Sequence, residues 1–196
     1  HYAVAGANVI NAAATAIKDA KRPLVLIGAG ANRKEARRAI SEFIGMIGLP
    51  FCNTQMGKGV VDESSDYFLG TAALSDKDYL HDYIKLADLI VNIGHDVVEK
   101  PPFFMEHGGA EVIHINYKSA QVDQVYFPQI EVVGDIALTV DALADALGSR
   151  LDIDLEDFEK VRDNVKGKIF PLDEEPVFPM RPQNIVSAIR NLMGYH

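Results

Sequence analysis

The chain has 196 residues, which fits one full domain with short additions and excludes a large multidomain enzyme. Its 48% hydrophobic and 24% charged residues exclude a disordered, collagen-like or disulfide-rich protein. The net charge of −9 comes without a basic stripe and argues against nucleic acid as a partner. No apolar run reaches the roughly 18 residues of a membrane helix, and the single Cys52 fits a reducing, cytoplasmic location.

Helices and strands alternate along the first three quarters of the chain. Helical spacing of apolar residues predicts a helix over residues 9–20 and another over about 34–47. The run 24–27 is continuously apolar, as is typical of a strand buried on both faces of a parallel sheet. Further strands are predicted at residues 49–53, 89–93, 112–116 and 130–133. The pattern predicts an α/β fold with a doubly wound, mostly parallel, Rossmann-like sheet of about six strands.

The chain divides into three predicted parts. Residues 1–148 form a central α/β domain, whose last helix is capped by Asp135 and ends near Gly148. Residues 149–182 form a helix and a proline-rich linker outside the core. Residues 183–196 begin a following, truncated C-terminal domain, so the chain is interpreted as part of a longer protein.

The last predicted helix begins with Pro182 at its first position, where a proline is favoured. Its Ile185, Ile189 and Leu192 form one apolar face, here called the apolar stripe. Because an exposed apolar face favours association, the stripe is expected to dock on another copy or back onto the core.

A glycine-containing turn follows the first predicted strand and comprises Gly28, Ala29, Gly30 and Ala31. Glycines at such a place let backbone amides approach a phosphate. The dinucleotide-binding fingerprint requires a third glycine, and this chain has Arg33 there. The sequence leaves open a tight turn without ligand and a pocket for the phosphate of an adenine nucleotide.

Other candidate residues follow the second, fourth and fifth predicted strands and are expected at the same sheet edge. Together with the glycine turn they form the candidate cofactor cleft: Thr54, Gly57, Lys58, Gly94, His95, Asp96 and Asn116. Lys58 either reaches a phosphate or carboxylate or is a mobile surface lysine. Asn116 either binds a ribose or caps a turn.

No catalytic or metal-binding constellation is evident. The six histidines lack the i, i+4 spacing with a supporting carboxylate that would indicate zinc. His114 lies within an apolar strand and is interpreted as a core imidazole, while Cys52 is interpreted as buried and inert. His95 and Asp96 lack a serine or cysteine in a nucleophile setting. We assign no catalytic residue to this chain.

An ordered set of motifs resembles the central domain of thiamine-diphosphate-dependent enzymes. The set comprises residues 21–30, 49–50, 54, 57–59, 70, 87–90, 93–94, 113–116 and 133–135. Within that family, residues 93–99, 101–104, 123–126 and 130–135 resemble the catabolic type of acetolactate synthase.

The resemblance implies a three-domain parent enzyme, a transferase that decarboxylates pyruvate and condenses it with a second 2-oxo acid. Thiamine diphosphate and magnesium are expected in the flanking N- and C-terminal domains, outside this chain, and the parent is expected to be a homodimer or homotetramer. This chain alone is then an inactive scaffold. The biosynthetic relatives bind FAD on this domain through a loop with arginines, which residues 94–99 lack. The alternative is an autonomous FAD- or ADP-binding module.

Overall fold

The computed structural model describes residues 3–72, 79–95, 99, 105, 108–121, 126–169 and 179–193. Their elements, in chain order, are α1 (Ala7–Asp19), β1 (Pro23–Ile27), α2 (Lys34–Ile47), β2 (Phe51–Asn53), β3 (Phe68–Thr71), α3 (Leu80–Leu86), β4 (Leu89–Ile93), β5 (Glu111–Asn116), β6 (Ile130–Val133), α4 (Ile136–Leu147), α5 (Glu156–Ile169) and α6 (Pro182–Leu192).

The six strands form one parallel sheet in the order β3-β2-β1-β4-β5-β6. This arrangement confirms the predicted doubly wound α/β fold. The chain runs from β1 outward to β3 and then returns to β4 on the other side of β1. The strand order therefore reverses between β1 and β4, where open α/β sheets commonly bind ligands beyond the carboxyl ends of the strands.

The sheet is buried on both faces because its strand residues alternate between two apolar clusters. Val25 and Ile27 of β1 join the larger cluster, which is formed with α1, α2 and α4. Leu24 and Leu26 join the second cluster, which contains Tyr83 of α3 and Phe158 of α5. All five residues of β1 are buried, as the continuous apolar run predicts.

The helix ends follow local capping rules. The Asp135 carboxylate accepts a hydrogen bond from the Leu138 N–H at 3.2 Å, which confirms the predicted cap of α4. Gly148 ends α4 with a φ of 81°. Pro182 is the first residue of α6, as predicted.

Two elements differ from the sequence-based expectation. The sequence does not locate β3, which is a four-residue edge strand containing Gly70. A strand this short carries no apolar periodicity that could distinguish it from a loop. The sequence also places α5 outside the core, but the Phe158 ring is fully buried in the second cluster. Helix α5 is therefore part of the packed domain.

The apolar stripe of α6 is not covered by the rest of the chain. Ile185, Ile189 and Leu192 are 45%, 51% and 86% exposed. The expectation that the stripe docks back onto the core of its own chain is therefore wrong, whereas docking on another copy stays a prediction. In the part of the chain that the structure describes, no helix combines the length and apolarity needed to cross a membrane.

Candidate functional site

Three turns meet at the carboxyl edge of the sheet, around the reversal point. The Gly28 N–H donates to the Ile93 carbonyl at 2.8 Å, and the Gly30 N–H donates to the Gly94 carbonyl at 2.7 Å. The Thr54 N–H donates to the Ile27 carbonyl at 2.9 Å. The structure thus brings together the turns after β1, β2 and β4, which contain seven of the candidate residues: Gly28, Ala29, Gly30, Ala31, Thr54, Gly57 and Gly94. His95 follows in the same turn as Gly94 and is buried.

The backbone amides of the glycine turn are all engaged within the protein. Those of Gly28 and Gly30 bond to β4 and its turn, and those at positions 31, 32 and 33 bond to the carbonyls of residues 28, 29 and 31 at 2.9 to 3.1 Å. The remaining amide, of Ala29, donates to both carboxylate oxygens of Glu99 at 3.1 Å. A phosphate-binding turn requires amides that point at the ligand. Every N–H group of residues 28–33 already has a protein acceptor, so none of them is available to a phosphate.

The two glycines of this turn are required by protein packing. A Cβ at Gly28 would lie 2.7 Å from Glu99 Oε2 and 2.8 Å from the Gly94 carbonyl oxygen. A Cβ at Gly30 would lie 3.0 Å from that same oxygen. In the dinucleotide fingerprint, glycines let the pyrophosphate approach the backbone. Here the space beside both glycines is filled by the turn after β4 and by Glu99, so a pyrophosphate could not approach the backbone at these two glycines.

Glu99 is the central side chain of this site, and the sequence analysis assigned it no role. Its carboxylate is only 5% exposed. Besides the Ala29 N–H, it accepts a hydrogen bond from the Thr54 hydroxyl. The Thr54 hydroxyl oxygen in turn accepts the Gly57 N–H at 3.0 Å. His95 Nδ1 lies 3.8 Å from Glu99 Oε2. A contact that spans 70 residues leaves no spacing signal in the sequence, so this role could not be predicted.

Two of the remaining candidate residues, Lys58 and Asn116, are paired within the protein. Lys58 is more than half exposed and forms an ion pair with Glu63 in its own loop, which supports the interpretation as a surface lysine. The Asn116 amide donates to the His95 carbonyl at 2.7 Å, and its oxygen accepts the Tyr117 N–H at 2.8 Å, which supports the turn-capping interpretation. Asp96 lies outside the described residues.

His114 belongs to a buried polar network on the sheet face that packs against the second apolar cluster. Asn92 and His114 are neighbours in β4 and β5, and both contact the Tyr126 hydroxyl, at 2.9 and 2.7 Å. His114 Nε2 lies 3.0 Å from the Lys118 carbonyl, which can only accept, so Nε2 carries the proton and Nδ1 accepts from Tyr126. This confirms the predicted core imidazole. Cys52 is also buried, as predicted.

We expect this network to make folding sensitive to acid. Burial lowers the pKa of His114 below its ordinary value of 6.5. As the pH falls through 6.5, the unfolded chain therefore binds a proton that the folded chain does not, and the free energy of unfolding decreases by up to about 1.4 kcal/mol per pH unit. Urea unfolding at several values between pH 7.5 and 5.5 is expected to show a shallower pH dependence for His114→Gln than for the wild type. Parallel dependences would contradict this assignment.

An open cavity of about 580 Å³ lies at the opposite, amino edge of the sheet, between α1 and the starts of β4 and β5. Its acidic lining includes Asp88, whose two carboxylate oxygens already accept the Lys21 and Arg22 N–H groups at 2.8 Å. Asp88 therefore fixes the turn between α1 and β1. Within the described residues, no group of three or more His, Cys, Asp or Glu side chains is placed to hold a metal ion.

Comparison with known proteins confirms the family resemblance. The family model described as "Thiamine pyrophosphate enzyme, central domain" matches residues 10–143. The chain is 29% identical to the acetolactate synthase of Bacillus subtilis, in an alignment that covers 96% of this chain and 34% of that protein. It is 31% identical to the catabolic acetolactate synthase of Raoultella terrigena, over 94% of this chain and 34% of that protein.

The chain is also similar to a protein whose name gives a different activity. The chain is 29% identical to the 3D-(3,5/4)-trihydroxycyclohexane-1,2-dione hydrolase of Geobacillus thermodenitrificans, over 69% of this chain and 20% of that protein. The chain spans about a third of the length of the two acetolactate synthases. The alignments therefore cover only part of each of these longer proteins.

Proposed function

This chain belongs to the thiamine pyrophosphate enzyme central-domain family, and we propose that it is the non-catalytic scaffold domain of an acetolactate synthase-like enzyme. In this proposal the parent enzyme is a carboligase that decarboxylates pyruvate and condenses the product with a second 2-oxo acid. The proposal is supported by the two acetolactate synthases that align with nearly the whole chain.

The observation that carries the scaffold role is the closed turn at the reversal point. The amides from Gly28 to Arg33 all have protein acceptors, and the Glu99 carboxylate lies beside Gly28. A doubly wound domain that serves as a nucleotide module needs that place for the ligand phosphates. The closed turn argues against an autonomous FAD- or ADP-binding module and against FAD as a cofactor of this domain.

The remaining parts of the proposal concern the parent enzyme. In this proposal, thiamine diphosphate and magnesium are bound by the flanking N- and C-terminal domains. The cofactor supplies the chemistry at the 2-oxo acid, and this domain holds the flanking domains in place. A homo-oligomeric parent with a cytoplasmic location completes the proposal.

Calorimetric titration of the purified chain with FAD and with ADP tests the scaffold role. We expect only the heat of dilution from either nucleotide, because the turn presents no amide to their phosphates. Visible absorbance of the freshly purified chain is an independent check, and no flavin band is expected. A one-to-one binding isotherm, or a flavin that copurifies, would contradict the proposal and favour the nucleotide-binding module.

A further inference from the structure

The Glu99 carboxylate has the position and the partners of a bound anion. It lies at the carboxyl edge of the sheet, beside the turn between β1 and α2, where the order of strands reverses. Both of its oxygens lie 3.1 Å from the Ala29 nitrogen, and one also accepts the Thr54 hydroxyl. These are the donor types, a turn amide and a hydroxyl, that hold ligand phosphates in doubly wound domains.

The surroundings fix the carboxylate at this place. Its side chain is 5% exposed, and the neighbouring His95 side chain is 2% exposed. A buried carboxylate is stable only when its oxygens have donors, and Ala29 and Thr54 supply them. The absence of a side chain at Gly28 makes room for it, because a Cβ there would lie 2.7 Å from Glu99 Oε2. The turn and the carboxylate therefore fit each other.

We infer that Glu99 is an intramolecular ligand that replaces a nucleotide phosphate and closes the dinucleotide crevice of this domain. The domain has the glycine turn of a nucleotide-binding fold, but the Ala29 N–H of that turn donates to a side chain of the same protein and not to a ligand. Glu99 is then the residue that determines nucleotide exclusion. This inference rests on the proposed scaffold function, and it adds that the Glu99 side chain prevents nucleotide binding.

The inference predicts that shortening Glu99 opens an anion site. In Glu99→Ala the Ala29 N–H and the Thr54 hydroxyl lose their acceptor, and inorganic phosphate can take its place. The melting temperature of Glu99→Ala is expected to rise by about 4 °C at a phosphate concentration tenfold above its dissociation constant. Wild type and Glu99→Gln, which keeps an acceptor oxygen on a side chain of the same size, are the matched controls. Both are expected to respond to phosphate no more than to sodium chloride of equal ionic strength.

A second measurement tests the role of Glu99 if the Glu99→Ala variant does not fold. The amide proton of Ala29 is expected to move upfield in the NMR spectrum of Glu99→Gln, because a neutral acceptor replaces a charged one. The amide of Val161, on α5, is the internal reference. An unchanged Ala29 amide would overturn the inference, as would a folded Glu99→Ala that ignores phosphate or a wild type that responds equally. If the wild type binds neither FAD nor ADP but Glu99→Ala ignores phosphate, the scaffold function stands and only the role of Glu99 fails.

Discussion

Replacing Gly94 by alanine is expected to destabilise the domain by about 4 kcal/mol. Gly94 has a φ of 70°, in the left-handed region, which costs an alanine about 1–2 kcal/mol. An added Cβ would also lie 2.4 Å from the Ala31 backbone nitrogen, and such overpacking costs about 1–3 kcal/mol. Both costs act at the point where the turns after β1 and β4 meet. Urea unfolding measures the loss in the free energy of unfolding, which is the sum of the two costs.

Gly59→Ala is the matched control for this substitution. Gly59 has a similar φ of 78°, but an added Cβ there has no neighbouring atom within 4 Å. The control therefore carries only the conformational cost, about 1–2 kcal/mol. The difference between the two variants isolates the packing between the turns. Equal destabilisation by both substitutions would show that the turns are not tightly packed and would contradict the closed crevice.

The fold could be predicted from the sequence because its elements carry strong local signals. Residues 24–27 are continuously apolar and residues 89–93 are apolar except for Asn92, as is typical of parallel strands buried on both faces. Helix α2 was predicted over 34–47 and is observed over those residues, because its apolar positions repeat with a helical period. The edge strand β3 and the burial of Phe158 depend on tertiary contacts, which have no local signature.

Only part of the site could be predicted from the sequence, because the positions of strand ends are predictable but contacts between distant residues are not. The carboxyl ends of parallel strands share one edge, so Gly28, Thr54 and Gly94 could be placed together from their positions after strands. What occupies that edge depends on a side chain 70 positions away from Ala29. Glu99 follows β4 in the chain, and no spacing rule predicts that its carboxylate lies at the turn after β1. The two interpretations of the glycine turn therefore could not be separated from the sequence.

The largest expected difference is in acetolactate formation, which the scaffold role assigns to the parent enzyme and not to this chain alone. The purified chain, supplied with pyruvate, thiamine diphosphate and magnesium, is expected to form no acetolactate above the enzyme-free rate. Rate enhancement by such cofactors requires groups that hold them in a productive geometry, and the proposal places those groups in the flanking domains. A protein that includes this chain and extends to the length of the aligned acetolactate synthases is the positive control.

The most direct measurement is therefore the rate of acetolactate production by this chain beside that longer protein, under identical cofactor and pyruvate concentrations. Turnover is expected from the longer protein and none from the chain alone. Turnover by the chain alone would contradict the scaffold role. A longer protein that binds thiamine diphosphate but forms no acetolactate from pyruvate would contradict the proposed activity of the parent enzyme.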